Sequence, residues 1–228
     1  MRRLLLFDVD GTLVLTGGAG LRAMDRAFQE VFGPAGAFAG VAFHGRTDRS
    51  ILADALARLG LEARDGQAER FRAAYCAALR EEILKPGPRK GVLPGVRPLL
   101  ERLSAREDAF TALLTGNYAE GARVKLEHFD LWRYFRCGAF ADDSAERNDL
   151  VAVAVERARA CGLPPLAPSD VIVIGDTPLD IACAAAAGVR SVAVATGGYD
   201  VDALGRAGAD VVFPDLGDTE AVLAALTD

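Results

Sequence analysis

The chain has 228 residues, 51% of them hydrophobic and 25% charged, and a formal net charge of −6 at pH 7. These fractions exclude a disordered chain, a coiled coil and a collagen-like fibre. The acidic balance speaks against nucleic acid or an anionic membrane as a partner, and no apolar run reaches the roughly 18 residues of a membrane span. The apolar start of the chain ends at Asp8, too soon for a secretion signal, so we expect a cytoplasmic protein.

Short apolar segments alternate with helical ones along the chain, which predicts a parallel sheet with crossover helices. Several segments are apolar throughout, as expected for strands that are covered on both faces. The predicted strands are Leu4–Phe7, Phe110–Thr115, Gly138–Phe140, Val171–Ile174, Ser191–Val194 and Val211–Phe213. A helix is predicted between Thr177 as N-cap and Gly188 as its terminator, with Pro178 at the first helical position. The predicted fold class is therefore α/β, with a doubly wound parallel sheet.

The first two predicted strands are about a hundred residues apart, far more than one crossover helix needs. We assign Gly95–Ser104 to that helix and residues 16–88 to an inserted module, so that residues 1–15 and 89–228 form the core. Three amphipathic stretches in the module predict helices. Their apolar faces comprise Leu21, Met24, Phe28, Val31 and Phe32; Ile51, Leu52, Ala55, Leu56 and Leu59; and Phe71, Tyr75, Ala78, Leu79 and Ile83. The sequence thus predicts a helical cap on the core.

Polar side chains follow four of the predicted strands, and ligand sites of parallel sheets lie beyond the carboxyl ends of the strands. These side chains are Asp8 and Asp10, then Thr115 and Asn117, then Asp142, Asp143 and Arg147, and finally Asp176 and Asp180. Carboxylates gathered at one edge repel each other unless a cation lies among them, and oxygen ligands favour Mg²⁺. A hydroxyl, a helix N-terminus and an arginine together suit a phosphoryl group. The combination predicts phosphoryl transfer.

The segment Asp8–Leu13, with the pattern D-x-D-G-T, resembles the first signature of the haloacid dehalogenase superfamily of aspartate-nucleophile phosphatases. Thr115 is similar to its second motif, and Asp176 with Asp180, in G-D-x-x-x-D, to its fourth. The order and spacing of these motifs resemble the family pattern over the whole chain, and the insert lies where subfamily I members carry a helical cap. Among these relatives, the layout is most similar to that of phosphoglycolate phosphatases.

The resemblance implies a role for each matching carboxylate. Asp8 would attack phosphorus to form an aspartyl-phosphate, while Asp10 would protonate the leaving alcohol and then activate water. Mg²⁺ would be held by the Asp8 carboxylate, the Asp10 backbone carbonyl and Asp176. Asp180 would support the metal site from outside.

The resemblance also implies a set of groups that contact the substrate. Thr115, with the backbone amides of Gly116 and Asn117, would hold phosphate oxygens. Most relatives place a lysine in the third motif, whereas the basic residue at that place here is Arg147. Arginine keeps the charge but replaces a point charge with a bidentate fork. Arg46, in the loop before the second insert helix, would meet an anionic group of the substrate.

Several other interpretations of these motifs stay open. In the Arg46 loop, Thr47 or Asp48 fits a simple helix N-cap equally well. A phosphomutase of the β-phosphoglucomutase type usually carries D-x-D-G-V rather than the D-x-D-G-T of this chain. Haloacid dehalogenases lack the second aspartate, so Asp10 argues against that reaction. A non-catalytic binding protein on the same fold predicts a broken motif.

The function expected from the sequence is Mg²⁺-dependent hydrolysis of a small organic phosphate monoester. The substrate is expected to be small because a cap that closes over the site excludes whole phosphoproteins. The resemblance to phosphoglycolate phosphatases favours a phosphoglycolate-like substrate. The sequence leaves the oligomeric state open.

Overall fold

The computed structural model describes residues 2–227 and contains one large parallel sheet and one small antiparallel ladder. The strands, in chain order, are β1 (Arg3–Phe7), β2 (Val14–Leu15), β3 (Gly91–Val92), β4 (Ala109–Leu114), β5 (Gly138–Ala139), β6 (Val171–Gly175), β7 (Arg190–Val194) and β8 (Val211–Phe213). The sheet has the order β5-β4-β1-β6-β7-β8, and every neighbouring pair in it is parallel. The strand that carries the first signature is thus central.

Helices cover both faces of this sheet. The helices of residues 2–227, in chain order, are α1 (Ala19–Phe32), α2 (Asp48–Arg58), α3 (Gln67–Glu82), α4 (Val96–Ser104), α5 (Ala119–His128), α6 (Leu150–Ala160), α7 (Pro178–Ala187), α8 (Val201–Arg206) and α9 (Thr219–Thr227), of which α1–α3 lie in the insert. Leu5 and Phe7 of β1 pack with α4, α5 and α9, whereas Leu4 and Leu6 pack with α6 and α7. The uninterrupted apolar run of β1 therefore serves two cores, and the doubly wound α/β fold is confirmed.

The predicted strands and the crossover helix α4 are confirmed, and each observed end lies within one residue of the predicted one. Helix α7 begins after Thr177 and ends at Gly188, whose φ of 67° places it in the left-handed region. Both ends match the predicted capping residues. None of the helices formed by residues 2–227 combines the length and the apolarity needed to cross a bilayer.

Helices α1, α2 and α3, called here the insert helices, share an apolar core of their own. Phe71 is central to it, because its ring lies 6.5 Å from that of Phe28 and stacks at 6.3 Å on that of Tyr75. Two positions of the predicted apolar faces are wrong: Leu21 is 44% exposed, and Leu59 is 43% exposed. Helix α2 ends at Arg58, before Leu59, and Gly60 turns the chain away with a φ of 63°.

A short ladder of β2 and β3 joins the two ends of the inserted segment. Val14 pairs with Val92 and Leu15 pairs with Gly91, in antiparallel register. The sequence analysis did not predict this pairing. Domain boundaries at residues 15/16 and 88/89 stay a prediction.

Candidate active site

Three buried carboxylates lie together at the carboxyl ends of β1 and β6. Asp8 follows β1, while Asp176 follows β6 and Asp180 lies in the first turn of α7. One oxygen from each residue lies within 4.8 Å of the others. Because β1 and β6 are neighbours in parallel register, the strand ends alone bring Asp8 and Asp176 side by side.

Of these three carboxylates, Asp176 has the fewest hydrogen-bond and ion-pair partners among residues 2–227. Its Oδ1 accepts a hydrogen bond from the Thr12 hydroxyl at 3.1 Å, but no donor among residues 2–227 reaches the buried Oδ2. Burial, reinforced by the charges of Asp8 and Asp180, raises the pKa of Asp176 to about 9. Because these surroundings disfavour the ionised form of Asp176, a cation bound beside it would stabilise the carboxylate.

Two loops approach Asp176 so closely that only glycine fits. A β-carbon at Gly197 would lie 1.7 Å from Asp176 Oδ2, and one at Gly11 would lie 2.4 Å from the same oxygen. Gly11 also has a φ of 87°, which disfavours a side chain independently. The backbone thus forms a tight cradle around the unpaired oxygen.

Arg147, predicted as the basic residue of the third motif, lies between Asp8 and Asp180. Its guanidinium contacts Asp8 Oδ1 at 3.2 Å, pairs with Asp180 Oδ1, and donates to the carbonyl of Gly45 at 3.0 Å. Burial disfavours charge on Arg147, but Asp180 and Asp8 outweigh it and raise the pKa of the guanidinium. Burial also raises the pKa of Asp8 to about 6, against the opposing charge of Arg147.

Asp180 holds a helix end and an arginine at once. Its Oδ2 accepts from the Thr177 backbone N–H at 3.0 Å and from the Thr177 hydroxyl at 2.7 Å, which caps α7. Its Oδ1 remains for Arg147. This side chain therefore fixes where the guanidinium lies.

A second buried cation, Lys125 of α5, was not predicted. It is 4% exposed, and its Nζ lies 2.6 Å from Asp10 Oδ2 and 2.5 Å from Asn117 Oδ1. The Asn117 amide in turn donates to Asp10 at 2.9 Å and to the Thr115 hydroxyl at 2.7 Å. The sequence did hold a signal: Lys125 lies beside Leu126 on the buried face of its helix.

The loop before α2 is seated on the core. Thr47 caps α2 by accepting from the Ser50 N–H at 3.1 Å, so the N-cap interpretation is confirmed for this residue. The Asp48 N–H donates to the Gly116 carbonyl at 2.6 Å. A β-carbon at Gly116 would lie 2.1 Å from the Arg46 carbonyl oxygen, so the two loops meet backbone to backbone.

Asp48 is a further buried carboxylate, and it lies near Asp10. Its Oδ2 accepts from the Tyr118 backbone N–H at 2.8 Å. Burial raises the pKa of Asp48 to about 7, with Lys125 opposing that shift and Asp10 and Asp142 adding to it. The sequence analysis considered Asp48 only as an alternative cap.

Arg46 reaches the edge of the site, but its guanidinium is engaged elsewhere. It contacts Asp54 Oδ2 at 2.7 Å and donates to the Ser50 carbonyl at 3.0 Å. Its predicted contact with the substrate stays a prediction. Asp142 and Asp143 do not join the carboxylate cluster: Asp142 accepts from the first N–H of α5, and Asp143 pairs with Arg157.

A cavity of about 420 Å³ opens above these groups, within the usual size of ligand pockets. Its core wall includes Asp8, Asp10, Thr115, Gly116, Asn117, Lys125 and Arg147. Its insert wall includes Leu21, Met24, Arg46, Asp48, Ile51 and Tyr75. Leu21 is 44% exposed because it faces this space rather than the core of the insert helices.

The doubly wound α/β fold with carboxylates at its strand ends is typical of phosphoryl-transfer enzymes, and comparison with known proteins specifies the family. A model described as haloacid dehalogenase-like hydrolase matches residues 5–194, so the chain belongs to that family. Phosphoglycolate phosphatase 1 of Pseudomonas aeruginosa is 31% identical over 200 residues, which cover 87% of this chain and 71% of that protein. The chain is a phosphatase of the family.

Solved structures agree with this assignment. A hydrolase from Pseudomonas syringae has a TM-score of 0.73 at 25% identity, over 100% of both chains. A predicted phosphoglycolate phosphatase from Haemophilus somnus has a TM-score of 0.72, covering 97% of this chain and 98% of its own. At 19% identity, the second likeness bears on the fold alone.

Proposed function

We propose that this phosphatase hydrolyses a small organic phosphate monoester through an aspartyl-phosphate on Asp8, with Mg²⁺ as its cofactor. The observation that carries the proposal is the pairing of buried Asp8 with Arg147 at the floor of the cavity, beside the unpartnered oxygen of Asp176. In this proposal the nucleophile and a metal ligand come from adjacent strand ends, and the phosphate-binding cation lies in contact with the nucleophile.

Asp8 is the nucleophile of this mechanism. Its carboxylate lines the cavity, and Arg147 favours the ionised form that attacks phosphorus. The same guanidinium would bind a phosphoryl oxygen, since it carries several donors in a fixed fork. Thr115, with the amides of Gly116 and Asn117, would hold further oxygens from the other side of the cavity floor.

Asp10 is the acid and then the base. Asp8 and Asp10 both line the cavity, but the Asp10 side chain is 41% exposed whereas Asp8 is buried. Lys125 and Asn117 both contact Asp10 Oδ2, which leaves Oδ1 for the leaving alcohol. Proton transfer requires such a fixed position within hydrogen-bond reach of the reacting oxygen.

The donor set fits Mg²⁺. Carboxylate oxygens of Asp8 and Asp176, with the backbone carbonyl of Asp10, would hold the ion, and Asp180 would support it through Arg147. When bound, Mg²⁺ supplies positive charge that offsets the repulsion between the phosphate and the carboxylates. The raised pKa of Asp176 and its unpartnered oxygen both support a role as metal ligand.

A phosphoglycolate-like ester is the first candidate substrate. The Pseudomonas aeruginosa relative carries phosphoglycolate in its name, and the insert helices leave room for a small leaving group. We keep a cytoplasmic location, and the absence of nucleic-acid and membrane partners, as predictions of the sequence.

The first experiment measures phosphate release from a panel of small phosphate esters with and without Mg²⁺. Asp8→Asn should lower the rate by at least roughly a thousandfold, because a lost nucleophile is not replaced by its neighbours. Asp202→Asn, at an exposed position of α8, is the matched control and should keep the wild-type rate. Metal-independent turnover, or full activity in Asp8→Asn, would contradict the mechanism. Sugar-phosphate isomers instead of free phosphate would point to a mutase.

The second experiment tests the metal ligand without measuring activity. Mg²⁺ should raise the melting temperature of the wild type, because a ligand that binds only the folded state stabilises it. In Asp176→Asn this rise should disappear, while the metal-free variant should melt above the metal-free wild type because a disfavoured buried carboxylate is gone. An equal Mg²⁺ effect in both proteins would exclude Asp176 as a ligand.

A further inference from the structure

Tyr75 of α3 buries a hydroxyl that has no partner. The residue is 0% exposed, its ring stacks on Phe71, and the ring of Tyr118 lies 6.2 Å away. Within residues 2–227 no group makes a hydrogen bond with the Tyr75 oxygen. Buried hydroxyls nearly always have a partner, since leaving one unpaired is unfavourable. Tyr75 lines the cavity above Asp8, so a bound molecule can supply the missing partner.

The Tyr75 hydroxyl shares its space with Lys125. A β-carbon at Gly20, near the start of α1, would lie 3.7 Å from Lys125 Nζ and 4.0 Å from the Tyr75 oxygen. Both polar atoms therefore face the same gap, which stays open because Gly20 has no side chain. Lys125 contacts Asp10, which the mechanism places at the leaving oxygen. The Tyr75 hydroxyl thus faces the alcohol part of the ester rather than its phosphate.

The remaining surroundings decide what Tyr75 can do there. Burial, with the charges of Asp48 and Asp10 adding to it, raises the pKa of Tyr75 well above 10, so the hydroxyl stays a donor. Leu21, Met24 and Ile51 of the insert wall are apolar, so on that wall they offer no donor, while Lys125 is already paired with Asp10 and Asn117. A donor in an apolar wall binds an oxygen atom of the ligand.

We infer that the Tyr75 hydroxyl selects the leaving group, by donating to a second oxygen that the alcohol carries close to its ester oxygen. This inference rests on the proposed function, and it narrows the substrate to phosphorylated hydroxy acids or polyol phosphates. An alcohol without that oxygen fits the same space but leaves the Tyr75 hydroxyl unpaired. Sites built to bind a polar group discriminate strongly against analogues that lack it.

The test compares three esters of similar size: phosphoglycolate, 2-hydroxyethyl phosphate and ethyl phosphate. With Mg²⁺ present, Tyr75→Phe should lower kcat/KM by about tenfold or more for whichever ester with a second oxygen on its alcohol part the site prefers. The kcat/KM for ethyl phosphate should stay unchanged. A loss confined to phosphoglycolate identifies a carboxylate as the partner, and one confined to 2-hydroxyethyl phosphate identifies a hydroxyl. Equal losses for all three esters, or none, would overturn the inference.

Two further variants separate recognition from folding. Tyr75→Phe should keep or raise the wild-type melting temperature, because its hydroxyl has no protein partner to lose. Tyr118→Phe removes a hydroxyl from the neighbouring buried ring, outside the cavity, and should keep the wild-type kinetics. Gly20→Ala should fold normally, since its methyl meets ordinary contacts, yet raise KM for the preferred ester by filling the gap. A wild-type KM in Gly20→Ala would contradict the placement of the leaving group.

Calorimetry separates this inference from the proposed function. The phosphoglycolate, 2-hydroxyethyl phosphate and ethyl phosphate affinities are measured in Asp8→Asn, with and without Tyr75→Phe. If the wild type hydrolyses none of them but Tyr75→Phe abolishes a preference in binding, the mechanism fails and the inference stands. If the wild type hydrolyses them and Tyr75→Phe changes neither rates nor affinities, the inference fails and the mechanism stands. If none of them binds or reacts, the inference fails, and the wider panel of esters decides whether the mechanism stands.

Discussion

Two buried cations flank the paired aspartates of the first signature, and they differ in how they are held. Arg147, 7% exposed, pairs with two buried carboxylates, Asp8 and Asp180. Lys125, 4% exposed, pairs with the half-exposed Asp10 and with a neutral amide. The two cations are similarly buried but have different roles. Arg147 balances charges inside the protein, whereas Lys125 orients Asp10 at the edge of the cavity.

That difference predicts which loss the protein tolerates. Removing one partner of a buried ion pair is far more damaging than removing one near solvent, because the remaining charge is left without water. We expect Arg147 to matter for folding and chemistry together, and Lys125 mainly for chemistry. Three variants test this comparison.

Arg147→Met should have the largest effect. It leaves Asp8 and Asp180 without their cation, so the free energy of unfolding should fall by about 3–5 kcal/mol. The rate should fall by roughly a hundredfold or more, since phosphate loses a fixed donor. Urea denaturation and steady-state kinetics measure both. Arg147→Lys, which keeps the charge, should recover most of the stability; a stable and active Arg147→Met would refute the assigned role.

Lys125→Met should have a smaller and more selective effect. We expect kcat to fall by about tenfold, since Asp10 keeps only the Asn117 hydrogen bond, and stability to fall by about 1–3 kcal/mol at most. Lys85→Met, at an exposed end of the insert, is the matched control. If Lys125→Met changed KM alone, the lysine would act on the substrate rather than on Asp10.

Asp48→Asn should have the smallest effect at neutral pH but a distinct pH dependence. The pKa of Asp48 rises from 3.8 to about 7 on folding, so the folded state binds the proton more tightly than the unfolded state. This contribution to stability is complete below pH 4 and is lost as the pH rises towards 7, at about 1.4 kcal/mol per pH unit at most. Asp48→Asn lacks this pH-dependent contribution to stability.

Urea midpoints of both proteins between pH 4 and 8 measure that difference. Lys125, Asp10 and Asp142 face Asp48 and are unchanged in the variant, as are Asp8 and Asp176, so the comparison isolates one carboxyl. Relative to Asp48→Asn, the wild type should lose stability as the pH rises. Parallel curves would show that Asp48 titrates normally.

The sheet and its strand-end residues were predictable because each follows from local pattern. Leu4–Phe7 is apolar on both faces, and parallel strands place their carboxyl ends at one edge. Asp8 and Asp176 lie together for that reason, whereas Arg147 comes from the segment just before α6. Such arguments consider only residues next to strand ends, whereas Lys125 enters from within a helix, two turns after its start.

Other features depend on contacts distant in sequence. Strands β2 and β3 have two residues each, too few for any periodicity, and they exist because residues 76 and 78 positions apart pair with each other. Leu59 continues an apolar pattern beyond the point where Gly60 ends the helix. The Tyr75 hydroxyl is invisible to hydrophobic periodicity, which identifies its ring as core and disregards its oxygen.

The seat of the Arg46 loop on the core has a consequence for protein engineering. A β-carbon at Gly116 would lie 2.1 Å from the Arg46 carbonyl oxygen, and one at Gly45 would lie 2.3 Å from the Thr177 hydroxyl. A chimaera whose insert comes from another family member will close on this core only where both positions remain glycine. They are the first positions to match when substrate preference is to be changed by transplanting the insert.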